Sequence, residues 1–157
     1  MTHEACEGEV FALTILPGSH TASELVKQGN YDSSDDSITD KRFPIGENAP
    51  RTRTLELVEF DYDPSTEEVL AEFERRGLEP PDYVDALYFG IQYPEEQRKR
   101  LITVFLHEPV RVPGGNLMGT GGYGFLEISG NRTWRTLRLV LYPRRWSRTC
   151  VFAAVRK

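Results

Sequence analysis

Long apolar runs are missing from this chain: none approaches the ~20 residues needed to cross a bilayer. The opening segment MTHEACEGEV carries acidic residues where a secretory signal would be basic. These two absences lead us to expect an intracellular, cytoplasmic protein without membrane attachment, and they make the Asn131-Arg132-Thr133 sequon accidental. Cysteine is scarce as well. Cys6 and Cys150 lack CxxC spacing and could bridge only if the two ends of the chain met, so we expect two free thiols and not a disulfide scaffold. Histidine is equally thin: His3, His20 and His107 have no metal-ligand spacing, and neither HExxH nor a nucleophile elbow occurs. The motifs therefore nominate no metal, no cofactor and no catalytic residue. Internal repeats and low-complexity segments are also lacking, and 157 residues with 39% hydrophobic content suffice for one domain, 1–157, with a continuous core.

What the chain does have is a lopsided charge. Residues 1–97 hold 7 Lys or Arg against 22 Asp or Glu, a net of −15, while residues 98–157 hold 12 against 2, a net of +10. Either the halves neutralise each other across an internal interface, or the basic half faces an anionic partner. Oppositely charged segments of one compact domain normally become neighbours, which favours the first reading.

The clearest local pattern is Ser65 to Tyr93. Ser65 with Glu68 forms a capping box, Gly77 closes the first helix, and Pro80-Pro81 keep it from running on. Asp82 can cap a second helix that Pro94 bounds, with Val84, Leu87, Tyr88 and Ile91 on one face. Upstream, EVFALTIL reads as an opening strand, and ASELVKQ as a short helix capped by Thr21 or Ser23 and ended by Gly29. Residues 30–40 read as an acidic loop anchored by Phe43-Pro44-Ile45, and ENAPRTR as a connector. TLELVEF reads as a strand. Downstream, EEQRKR adds a helical turn, and LITVFL, apolar except for Thr103, has the character of a central strand covered on both faces. Val110 begins a glycine-rich loop with a short edge strand. Phe125–Ser129 and Arg132–Tyr142 form a hairpin about Gly130-Asn131, and Thr149–Val155 closes the chain. The expected fold is α+β, a mostly antiparallel sheet dominated by C-terminal strands with two or three helices packed on one face. A C-type-lectin-like arrangement is a minor alternative.

Three stretches invite a chemical reading. The acidic loop offers Asp32, Asp35, Asp36 and Asp40, but not the register of a calcium loop. Gly119 to Gly124 matches GxGxxG, yet a strand follows it where a dinucleotide site needs a helix. His107-Glu108 closes a core strand and marks where an unrecognised enzyme site would lie. The sharpest candidate is the C-terminal third, where Arg132, Trp134, Arg135, Arg138, Arg144, Arg145, Trp146 and Arg148, with Tyr142, interleave guanidinium groups and rings. That mixture suits phosphate contact with base stacking, and equally a basic sheet laced by cation–π contacts or covered by acidic helices.

The chain resembles an uncharacterised family of small bacterial proteins. The resemblance rests on Glu24-Leu25-Val26 with Gly29-Asn30-Tyr31-Asp32, Ile38 with Phe43-Pro44, Ser65 to Gly77 with Leu78 and Pro80, Tyr93-Pro94 with Gln97, and the closing Phe152 to Lys157. It spans most of the chain from about Glu24. It implies no activity and carries over no catalytic residue. His107-Glu108 departs from the Gly and small polar residue expected there, and the 114–124 loop is particular to this member. The function expected is that of a small non-enzymatic interaction or binding module, with an unidentified protein or anionic ligand as partner. Nucleic-acid binding through the basic third is the alternative, and an enzyme with a site near His107 the second alternative.

Overall fold

A computed structural model describes residues 8–16, 18–48, 50–112 and 122–157. Strict alternation of exposed and buried residues makes Val10–Ile15 a half-covered edge strand, β1, followed by the two-residue β2, Gly18–Ser19. Thr21 and Glu24 form a reciprocal capping box that starts helix α1, Ala22–Gly29. The short strands β3 (Ser33–Ser34) and β4 (Glu47–Asn48) precede the long strand β5, Arg51–Val58. The Ser65–Glu68 capping box forms as expected and opens α2, Thr66–Arg75, which leads through Gly77 at positive φ to β6, Leu78–Glu79. Helices α3 (Tyr83–Gln92) and α4 (Glu96–Lys99) follow, the latter a single turn. The remaining strands are β7 (Leu101–Val104), β8 (Val110–Val112), β9 (Gly122–Gly130), β10 (Arg135–Leu141) and β11 (Cys150–Arg156).

Nine strands make one sheet in the order β1-β5-β11-β7-β9-β10-β3, with β6 on β11 and β8 on β9. β2 and β4 pair separately. The sheet is mostly antiparallel, as expected, but mixed: β11 runs parallel to β7 and β3 parallel to β10. LITVFL does lie at the centre.

One expectation is overturned. The helices do not all pack on one face. Val151, Ala153 and Val155 of β11 point into a core shared with Leu25 of α1 and Leu87 and Phe89 of α3. Phe152 and Ala154 of the same strand point into a second core with Val69 and Phe73 of α2 and with Trp146. The physical reason is visible in β11 itself: successive side chains leave opposite faces, and a strand apolar at every position from Val151 to Val155 needs cover on both.

Smaller departures have local causes. Asn30, not Gly29, takes the left-handed conformation that ends α1, at φ 54°. Gly29 is required because a Cβ there would stand 2.4 Å from the Tyr31 ring. The connector of residues 47–53 is largely strand, since β5 begins at Arg51. The acidic loop is more ordered than its composition suggests, because β3 pairs with β10 and Ile38 is buried. The β9–β10 hairpin does not turn on Gly130-Asn131: Gly130 still pairs with Arg135. The four residues between are closed by Asn131 N–H to the Trp134 carbonyl, at 2.8 Å, and by the Asn131 side chain accepting from Thr133 N–H, at 2.9 Å.

Arg135 binds these parts together. Its guanidinium donates to the carbonyls of Gly29 at 2.6 Å and Gly90 at 2.9 Å, and twice to Gln97 Oε1, at 3.1 and 2.8 Å. It also lies 4.8 Å from the centre of the Tyr31 ring. The Gly90 carbonyl needs this partner, because the residue four positions on is Pro94, which has no N–H. Both carbonyls sit where helix dipoles accumulate negative charge, so a cation is favoured there. Gln97 completes the joint by donating to Ser129 and Thr136 carbonyls at 2.7 and 3.1 Å. Replacing Arg135 by Met should therefore lower unfolding free energy by about 3 kcal/mol or more in urea titration. Arg135→Lys should restore little of it, since one ammonium cannot reproduce the fork. A variant as stable as the parent would show that the joint is dispensable.

Candidate binding cleft beside Trp146

The eight Arg and Trp positions singled out in the sequence do not form one surface. Arg135 and Trp146 are each only 4% exposed and belong to the interior. Arg132 and Trp134 lie at the β9–β10 turn, while Arg144, Arg145 and Arg148 lie beyond the other end of β10. A seven-residue strand separates the two groups by about 23 Å. Most of the cations outside are also matched. Arg148 donates to Asp63 Oδ1 at 3.1 Å, and Arg145 donates to the Asp63 carbonyl at 2.8 Å with Glu68 at 4.0 Å. Arg100 pairs with Glu9 and Glu59, Lys157 with Glu74, and Arg138 with Glu127. Hydrogen bonds from Arg148 hold the Asp63 carboxyl below its ordinary pKa. The two charged halves thus meet across the fold. Of the eight positions, Arg132 and Arg144 are exposed without a carboxylate partner among the described residues, as Lys27, Lys41, Arg111 and Arg156 are elsewhere.

These pairs carry a structural consequence. They tie the β10–β11 connection to the start of α2, where Trp146 N–H donates to the Pro64 carbonyl at 2.9 Å and its indole N–H to Thr66 Oγ1 at 3.0 Å. Trp146 is thereby set edge-on to Phe125, with centroids 4.7 Å apart, and against Phe105 and Phe152. Since α2 covers the sheet over β5 and β11, the Trp146 segment ends that cover and leaves a cleft of about 250 Å³ beside it. Leu101, Thr103, Phe125, Val140, Trp146 and Cys150 form its walls, with Glu127 and Arg145 as the charged residues. Thr103 and Glu127 are direct partners across β7 and β9.

Two polar groups in the cleft stand out. Thr103 is fully buried, and its hydroxyl has no oxygen or nitrogen partner among the described residues; it meets only the weakly bonding thiol of Cys150. Burial pushes the Cys150 thiol pKa up, with Thr103 and the Ser147 backbone only partly offsetting this, so the sulfur is a neutral thiol at neutral pH. The Glu127 carboxyl lies beside it, with Arg138 at 3.5 Å and the Ser129 hydroxyl at 3.4 Å, both long contacts.

Other candidates are weaker. A depression of about 650 Å³ lies between α1 and residues 30–40, but Asp40 there accepts from Ser23 and Asp35 from Ser37 and Leu139, and no metal-holding group occurs among the described residues. His107 is exposed, and its backbone N–H donates to the Pro81 carbonyl at 2.9 Å. Glu108 lines a second 250 Å³ crevice with Arg51, Asp82 and Tyr83. Near that crevice Asp85 is fully buried, accepting from Asp82 N–H at 3.0 Å and Arg53 at 3.3 Å. Positions 119–121 of the glycine motif fall outside the described residues, and Gly122–Gly124 begin β9, a strand. Cys6 and His3 also fall outside.

No family model, curated protein or solved structure matches this chain. Geometry alone therefore assigns the site. Among the described residues, no helix is long and apolar enough to cross a membrane.

No motif in the sequence marks Thr103, Glu127 or Cys150 as site residues. One signal was present: Thr103 is the single polar residue in LITVFL. In a strand buried on both faces such a residue must find a partner or remain unsatisfied.

Thr103→Val, which keeps the shape and removes the unpartnered hydroxyl, should raise unfolding free energy by about 1 kcal/mol. Urea midpoints test it, and an unchanged or lowered midpoint would show that the hydroxyl is satisfied in solution. Asp85 yields a pH prediction. Burial raises its pKa, and Arg53 offsets this only in part. The folded state then holds its proton more tightly than the unfolded state, so stability falls as pH rises from the unfolded carboxylate value through the folded one. The stability of the wild type should decline relative to Asp85→Asn over that window in denaturation series at stepped pH. The opposite slope would mean that Arg53 dominates.

Proposed function

We propose that this chain is a non-enzymatic binding module that takes a small ligand in the cleft between β7, β9 and the Trp146 segment, without a cofactor. The observation that carries this reading is the mostly apolar cleft of about 250 Å³ itself, whose lining includes the Glu127 carboxyl and the half-buried thiol of Cys150. The neutral Cys150 thiol supports binding over nucleophilic chemistry, because an activated cysteine needs a depressed pKa. The burial of Arg135 and Trp146 and the pairing of Arg138, Arg145 and Arg148 speak against the nucleic-acid alternative.

A ligand-observed NMR screen of small neutral fragments, mapped by amide shifts on labelled protein, tests the proposal. Binders should perturb Thr103, Glu127 and Cys150. A screen whose binders all map elsewhere would refute the cleft. Salt-dependent binding of a labelled oligonucleotide that is lost in the Arg132→Ala/Trp134→Ala variant would put the nucleic-acid reading in its place.

A further inference from the structure

We infer that the side chains of Gln92 and Tyr93 lock the outer edge of β1, and that this edge, once unlocked, takes β1 of a second copy of the chain as its partner.

The path of the large sheet ends at β1, which pairs with β5 residue for residue from Val10 to Ile15, without a bulge. A strand at the end of a sheet presents a row of unpaired N–H and C=O groups, and natural edges are guarded by lysine, proline, a bulge or a covering segment. β1 has no guard of its own. From Val10 to Leu16 it reads VFALTIL, without a charge, a proline or a glycine. Val10, Ala12, Thr14 and Leu16 are its exposed side chains. The same alternation fixes the backbone. The Glu9 carbonyl accepts from Leu57 N–H at 3.0 Å, so the odd-numbered residues turn their polar groups toward β5 and Val10, Ala12 and Thr14 turn theirs outward.

The guard comes from the end of α3. Phe89 and Tyr93 pack on Phe11, with ring centroids 5.3 and 4.9 Å away, which sets the last turn of the helix beside the strand. Gln92 then reaches the edge, where its amide donates to the Thr14 carbonyl at 2.7 Å and accepts from the Thr14 N–H at 3.1 Å. A primary amide carries a donor and an acceptor together, so at Thr14 it reproduces the pairing a neighbouring strand would give. The Tyr93 hydroxyl donates to the Ala12 carbonyl at 2.6 Å.

The other end of the sheet is finished in the same manner. Asp32 and Asp35 donate their N–H groups to the Arg135 and Leu137 carbonyls, both at 2.9 Å, while their carboxylates accept from the N–H groups of Arg135 at 2.7 Å and Leu139 at 3.3 Å. Side chains thus complete the pairing at both ends. Two carboxylates of the acidic loop owe their place to this.

The partner follows from the symmetry of β1. An antiparallel pair about a twofold axis through Ala12 sets Ala12 opposite its own counterpart and Val10 opposite Thr14. All three residues turn outward, so the pair forms about six hydrogen bonds. No like charges meet across it.

Sedimentation of the wild type and of Gln92→Ala/Tyr93→Phe over a concentration series tests the inference. The wild type should remain monomeric and the variant should dimerise as concentration rises. Adding Ala12→Lys to the variant should restore the monomer, because two ammonium groups would then face each other across the new pair. A folded double variant that stays monomeric throughout, a dimer indifferent to Ala12→Lys, or a wild type already paired through β1 would overturn the inference. If the double variant does not fold, amide hydrogen exchange of Gln92→Ala decides. Its Thr14 N–H should exchange about tenfold faster than in the wild type in dilute solution, the worth of one or two hydrogen bonds, and should slow again at high concentration. Exchange at Thr14 unchanged by the substitution, or indifferent to concentration, would equally overturn it.

Discussion

The Arg135 guanidinium is the interaction on which the rest of the architecture depends. Four separate pieces of chain end at it: the last residue of α1, the last turn of α3, the Gln97 amide of α4 and the first residue of β10. A helix terminus in a protein interior leaves carbonyls unpaired, and α3 aggravates this by placing Pro94 where a donor is needed. One planar, permanently charged group with five donors answers two helix ends and an amide at once. Tyr31 seals the joint, its ring against the guanidinium and its edge against Gly29 and Gly90, where a Cβ would collide with it. Burial pushes the Tyr31 hydroxyl pKa up to about 12, so the joint carries a single charge, that of Arg135.

The candidate cleft is a by-product of unequal cover. α1 and α3 lie over one face of the sheet, whereas a single ten-residue helix, α2, and the Trp146 segment serve the other. Ion pairs between Asp63, Glu68 and the arginines of the β10–β11 connection hold that segment in place. Each exposed pair adds little to stability, but together they set where the cover ends. The charge asymmetry along the sequence thus has its counterpart in the fold as a seam, and the cleft opens beside it.

Local signals in the sequence were legible and distant ones were not. The capping box at Ser65, the cap at Thr21 or Ser23, the strand-forming run of β1 and the apolar run of β7 are written within a few residues, and the elements follow them. The placement of α2 on the opposite face was not read, although β11, apolar on both faces, contained the clue in Phe152 and Ala154. The Arg-rich third misled because a guanidinium does not announce its destination. Strand alternation puts Arg135 on the buried face with Leu137 and Leu139 and Arg138 on the other, but the partners that make a buried guanidinium tolerable, the carbonyls of Gly29 and Gly90, lie far away in sequence. Thr103 escaped attention for a related reason: a missing partner is a property of the assembled sheet.

The position of β11 bears on how the molecule comes together. It is the latest of the sheet strands in chain order, yet it lies between β5 and β7, joining β1-β5 on one side to β7-β9-β10 on the other. Without it, the pair β1-β5 and the larger group of β7, β8, β9, β10 and β3 would have no pairing through the sheet. Its register with β7 and β5 closes rings of roughly fifty and one hundred residues, so the centre of the sheet is held by non-local pairings. The residues from Cys150 to Arg156 also cover edges of β5 and β7 that, left open, are places where a second copy could add a strand.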